Sequence, residues 1–174
     1  MAKIKTINLK NFRNFTSCDF NFHSNCNVLF GDNGTGKTNI LESISLLGKG
    51  RGFRNSSISD LIFKKENNFF INAQYERDYN YYDIKIYSKL ENEKYKKISS
   101  INDEISKTSK DFINDSFTFL YFLPEMERLF VSSPSQRRNF IDKLIFTENK
   151  NYNTLINNFK KKINERTKIL QNFK

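Results

Sequence analysis

Histidine occurs once, as His23, and it is not set in any acid–base or nucleophile pattern, so there is no ground for histidine-based catalysis. Cysteine occurs twice, as Cys18 and Cys26, without metal-ligand spacing. That supports neither a disulfide framework nor a zinc site, and it fits a reducing cytosol. No stretch approaches the ~20 apolar residues that a membrane span needs. The N-terminal MAKIKTINLKNF lacks the uninterrupted apolar region of a signal peptide. A cytoplasmic location with no membrane partner is expected. Internal repeats and low-complexity linkers are also missing.

What is present suits a folded chain. Of 174 residues, 37% are hydrophobic and 28% charged, which favours one globular domain over disorder. Phenylalanine is abundant at 18, so an aromatic-rich core is expected. The formal net charge is +10. Such a balance favours anionic partners, chiefly nucleic acid or anionic lipid, although lysine also simply solvates surfaces.

Two periodicities divide the chain. Ile7 and Leu9, then Cys18, Phe20 and Phe22, alternate as strands do, with Asn11–Thr16 connecting them. Asn27–Phe30 is a short apolar run read as a strand. Beyond it, Ile40, Leu41, Ile44 and Leu47 fall at helical spacing, with Gly48 as a stop. Gly50–Asn55 (GRGFRN) is a basic loop. Phe69–Tyr75, Tyr81–Tyr87 and Lys94–Ile98 read as strands of an antiparallel sheet. Asp111–Asn114 belongs to a helix, and Phe117–Leu123 reads as a buried strand. Ser133-Pro134-Ser135-Gln136 combines a capping box with proline at the first helical position. A further helix puts Ile156, Phe159, Ile163 and Leu170 on one face, with Lys160, Lys161 and Lys162 on its wet side.

Gly31–Thr38 (GDNGTGKT) is a complete phosphate-binding loop: Gly, four residues, then Gly-Lys-Thr. Backbone N–H groups of Asn33–Thr38 are expected to face the phosphates, with the dipole of the following helix behind them. Lys37 should reach the β- and γ-phosphates and the Thr38 hydroxyl should bind Mg²⁺. The binding set is Gly31, Asp32, Asn33, Gly34, Thr35, Gly36, Lys37 and Thr38, and the cofactors are ATP and Mg²⁺. The motif alone does not separate ATP from GTP, or hydrolysis from binding. Hydrolysis needs an acid at the end of another strand. The one candidate, Phe117–Glu125, is followed by no Asp-Glu pair. No catalytic residue is therefore assigned, and no hydrolysis is expected from these residues alone.

Several elements in order resemble the RecF family, bacterial DNA replication and repair ATPases related to the heads of SMC proteins within the ABC class. They are NFRNF at Asn11–Phe15, GDNGTGKTNILE at Gly31–Glu42, GRGFR at Gly50–Arg54, FLPE at Phe122–Glu125 and SPSQRRNFID at Ser133–Asp142. The last is the most specific. The resemblance covers nearly all of the chain. It implies an α/β fold, an ABC/SMC-type P-loop ATPase head. Residues 1–123 would be its N-terminal part, a mixed sheet around a P-loop helix. Residues 124–174 would start a helical lobe. The C-terminal part of the head, with its signature and catalytic strand, would be absent, leaving an incomplete fold. The resemblance also implies weak ATPase in a full-length protein, an ATP-dependent homodimer, binding to single-stranded or gapped DNA, and RecO- and RecR-type mediators as partners. Arg13 would lie near the nucleotide, and Arg51 and Arg54 in a loop close to nucleotide and DNA. Arg137 and Arg138 would sit at the base of the helical lobe. Thr35 stands where the family usually has Gln, and Pro124-Glu125-Met126 where it has Pro-Glu-Asp. A metabolic P-loop kinase is the rival reading. The basic charge and the lack of a lid-like Arg cluster speak against it.

Overall fold

In the computed structural model, residues 2–23, 26–122, 131, 133–149 and 151–172 are described. They divide into two compact units, Met1–Thr118 and Phe119–Lys174.

The first unit is built on a five-stranded sheet in the order β2-β1-β3-β4-β5, formed by β1 (Ala2–Phe12), β2 (Phe15–Asn21), β3 (Phe70–Arg77), β4 (Asn80–Glu91) and β5 (Lys94–Ile101). Every pairing among them is antiparallel, as the alternating pattern predicts. The register lines apolar residues up on one face. Ile7 lies opposite Phe20 and Ala73, Leu9 opposite Cys18 and Ile71, and Ile84 and Ile86 opposite Ala73 and Ile71. A slip of one residue would turn all of them to the other face. Two strand connections are two-residue turns with both residues in the left-handed region: Asp78 and Tyr79, then Asn92 and Glu93. That geometry matches the right-handed strand twist.

The inward face is covered by α1 (Lys37–Ser45), a 3₁₀ turn at Ser59–Leu61 and α2 (Lys107–Ser116). Leu46, Leu47, Leu61 and Phe69 are fully buried with Phe12, whose ring meets Phe69 edge-on at 5.5 Å. At the other end Phe117 packs on Tyr75 at 4.6 Å and Phe112 on Tyr82 at 4.7 Å. The abundance of phenylalanine thus goes partly into the core, where aromatic pairs add to area burial.

In the second unit α3 (Pro134–Glu148) opens with the expected capping box: Ser133 Oγ accepts from the Gln136 N–H and Gln136 Oε1 from the Ser133 N–H. The long α4 (Tyr152–Asn172) follows, tied back by a hydrogen bond from the Tyr152 hydroxyl to Asp142. The apolar stripe of α4 is open to solvent, with Phe159 63% and Ile163 44% exposed.

Two strands expected from apolar runs are absent. Residues 26–30 form no ladder, and Val28 and Phe30 are 78% and 91% exposed. A strand exists only when a neighbour takes its backbone donors and acceptors, and no described strand lies beside this run. Residues 117–122 likewise carry no strand, with only Phe117 buried and Phe122 73% exposed. Leu123, the last residue of that expected strand, and the Pro124-Glu125 end of the acid-bearing candidate lie outside the described residues.

Replacing Phe69 by Ala should cost about 3–5 kcal/mol, because it empties a fully buried aromatic site beside Phe12. Urea unfolding followed by circular dichroism measures this, and a loss under about 1 kcal/mol would place Phe69 outside the core.

Candidate nucleotide site

All six glycines of the chain fall between positions 31 and 52, where the phosphate loop, α1 and the basic loop follow one another. At Gly36, the N-cap of α1, φ is 106° and an added Cβ would lie 2.5 Å from Phe15 Cζ and 2.9 Å from the Asn14 amide. Backbone shape and close approach therefore both exclude a side chain. The β1–β2 hairpin tip is what presses on the loop there.

Lys37 is the first residue of α1, and its Nζ donates to the carbonyls of Gly31 at 2.6 Å and Asp32 at 2.7 Å. The Thr35 hydroxyl donates to the Asp32 carbonyl at 2.9 Å. The loop is thus self-bridged around its own lysine. Residues 31–35 and Thr38 are exposed, and the N-terminus of a nine-residue helix stands behind them. Exposed N–H groups with a positive dipole end are suited to an anion.

Beneath the loop lies a buried ionic hub. The Glu42 side chain is 0% exposed. Arg13 grips it bidentately, Nε to Oε2 at 2.8 Å and Nη2 to Oε1 at 2.7 Å. Arg13 also donates to Ser56 Oγ and, through Nη1, to the Asp60 carbonyl at 3.0 Å. Four of the five guanidinium N–H groups are thereby used. Its backbone sits in the left-handed region at φ 55°, held by a bond from its N–H to the Leu61 carbonyl. A non-glycine residue there is strained and persists when surroundings over-determine it. Arg13 therefore points into the hub under α1.

Arg54 joins from the basic loop. Its Nη1 lies 3.4 Å from Glu42 Oε2 and donates to Asn39 Oδ1 at 3.0 Å, while the side chain stays 39% exposed. Asn39 Nδ2 donates to Asn14 Oδ1 at 2.8 Å, and Asn14 Nδ2 to the Thr35 carbonyl at 3.3 Å. A continuous polar chain thus runs from the phosphate loop to Arg54. Arg51 is exposed and lines an open groove with Ser57, Ser59, Lys94 and Tyr95. Glu42, Asn14, Asn39 and Ser56 were not singled out by sequence reasoning. The one signal for Glu42 in the sequence is that it is the only acid of α1.

Residues 3–120 match the family model described as RecF/RecN/SMC N terminal domain. The chain belongs to this family. The DNA replication and repair protein RecF of Rickettsia typhi is 30% identical over 167 residues, covering 96% of this chain and 45% of that protein. RecF of Natranaerobius thermophilus is 29% identical over 171 residues, covering 98% of the chain and 44% of its own length. Among solved structures, RecF-ATPrS, a recombination mediator protein in the RecFOR pathway, superposes with a TM-score of 0.71 at 30% identity, covering 99% of this chain and 46% of that one. RecF-ATP gives 0.69 at 28% identity, covering 97% and 46%. The chain spans about half the length of the relatives it matches. The recognised resemblance and the ABC/SMC-type head fold both stand.

Arg13→Ala should destabilise the protein by about 3–5 kcal/mol, because it strips a buried carboxylate of its main partner. Arg54→Ala, at a half-exposed pair, should cost less than about 1 kcal/mol. Thermal or urea unfolding of the two variants compares them directly, and equal losses would show that the bidentate pair is not the dominant contact of Glu42.

Proposed function

We propose that this chain binds ATP with Mg²⁺ at residues 31–38 and forms the nucleotide-binding part of a DNA replication and recombinational repair protein. The observation that carries the reading is the exposed, self-bridged loop at the N-terminus of α1, in a chain of the RecF family whose relatives include a structure named RecF-ATP. Lys37 would turn from the Gly31 and Asp32 carbonyls to the β- and γ-phosphates, while N–H groups of residues 33–38 hold the remaining oxygens. Thr38, exposed in the first turn of α1, would supply the protein's oxygen to Mg²⁺. Among the described residues no group of three or more His, Cys, Asp or Glu could hold a metal ion.

Arg13, with its donors engaged at Glu42, serves the site by fixing α1 under the loop. Arg54 and Arg51 are the candidates for phosphate contacts of nucleotide and DNA. The basic charge suits DNA bound through its backbone, without sequence reading. ATP would join two heads on single-stranded or gapped DNA, with RecO- and RecR-type mediators as partners. No helix among the described residues is long and apolar enough to cross a membrane.

Lys37→Ala should abolish or severely weaken binding of a fluorescent ATP analogue while leaving the circular dichroism unchanged. Equal affinity in both proteins removes Lys37 from the site.

DNA binding should weaken steeply with salt, each neutralised duplex phosphate contributing a slope of about −0.9, and Arg54→Ala should reduce the slope by roughly 1. Anisotropy titrations on gapped and duplex DNA, with and without ATP, measure it. An unchanged slope and affinity would send the DNA path elsewhere.

A further inference from the structure

Lys97 stands on β5 opposite Ser88, on the inward face of the sheet. A charged side chain is rare in such a place unless paired. Here the partners are backbone. Its Nζ donates to the carbonyls of Leu46 at 3.0 Å, Gly48 at 3.2 Å and Gly50 at 2.8 Å. An ammonium has three N–H donors, and each carbonyl can take one. Leu46 caps the C-terminal end of α1, where orphan carbonyls and the negative dipole end favour a cation. Gly50 directly precedes Arg51. One side chain therefore ties the end of the phosphate-loop helix to the basic loop. Farther along that loop, the Phe53 N–H donates to Ser45 Oγ at 3.1 Å, and Gly52, at φ 74°, packs where a Cβ would lie 2.7 Å from the same oxygen. Arg54 then reaches Asn39 and Glu42.

We propose that Lys97 is a positioning residue, whose ammonium fixes the course of residues 48–54 and so sets Arg54 against Asn39 and Glu42 beside the phosphate loop. What Arg54 does there rests on the proposed function; the clamp itself does not. A cavity of about 260 Å³ adjoins the clamp, and the charged groups lining it besides Lys97 are Lys49, from the segment after α1, and Lys110 of α2, with no carboxylate among them. Burial pushes Lys97 down to about 8. As a neutral amine it keeps two donors and turns a lone pair on a carbonyl, so the clamp weakens as pH rises through about 8. Global stability moves the other way. The unfolded chain holds this proton up to about 10.5 and the folded chain only to about 8, so between those values rising pH favours the folded state. Local opening of the loop is thus separable from unfolding.

The test is amide hydrogen exchange on the chain and on its Lys97→Met and Lys97→Arg variants, corrected for intrinsic rates, between pH 7 and 9. At pH 7, Lys97→Met should speed exchange at the Phe53 and Asn55 amides roughly tenfold, the factor expected for one lost hydrogen bond. The original chain should approach that rate above pH 8. Lys97→Arg keeps its charge and should show no pH step, which a lysine of purely structural weight would not explain. Unchanged exchange in Lys97→Met at pH 7, or no step in the original chain, overturns the proposal. If Lys97→Met unfolds, the pH step and its loss in Lys97→Arg still decide. A second arm measures the affinity of the fluorescent ATP analogue. Lys97→Met should weaken it as Arg54→Ala does. If Arg54→Ala weakens it and Lys97→Met does not, positioning is overturned. If neither has an effect while the exchange step is present, the clamp stands and the role given to Arg54 fails.

Discussion

A carboxylate taken wholly out of water cannot stay charged without partners. Glu42 is such a group, and satisfying it dictates much of the surrounding structure. It lies on the helix that begins at Lys37, so whatever grips it also fixes that helix. Arg13 does so from a left-handed backbone position at a hairpin tip, and the same tip presses Asn14 and Phe15 against Gly36. Ser56 and Arg54 approach from the other side. Hairpin, helix and basic loop are separate in sequence, and one buried charge gives all three a common reference point.

Local chemistry was the most legible part of this chain. The helix that follows the phosphate loop, the strands of the antiparallel sheet and the capping box at Ser133 each rest on residues adjacent in sequence, and each matches the structure. What sequence reading missed depends on distant partners. Residues 27–30 have the composition of a strand, but composition supplies no neighbour. Residues 117–122 fail for the same reason. Family resemblance implies that Arg13 lies near the nucleotide, and the fold adds that its guanidinium grips Glu42. Lys97 could not be found before the register of β5 was known, since alternation marks a face but does not say which carbonyls wait there.

The two units differ in how their apolar surface is used. In the first, the sheet buries Ile7, Leu9, Ile71, Ala73, Ile84 and Ile86 under helices and turns. In the second, α4 carries a clear apolar stripe that remains exposed. Val28 and Phe30, just before the phosphate loop, are equally uncovered.

The self-bridging of Lys37 has a kinetic side. Its ammonium already occupies the mouth of the loop, holding the Gly31 and Asp32 carbonyls as stand-ins for anionic oxygens. A triphosphate binding there as proposed would meet a frame already folded around a positive charge, so little chain ordering would remain to oppose association. What it must do is win the lysine from two neutral acceptors. Any small multivalent anion can enter the same contest. Inorganic phosphate or sulfate in the medium would then act as a competitor, and apparent nucleotide affinity would depend on the buffer anion as well as on ionic strength.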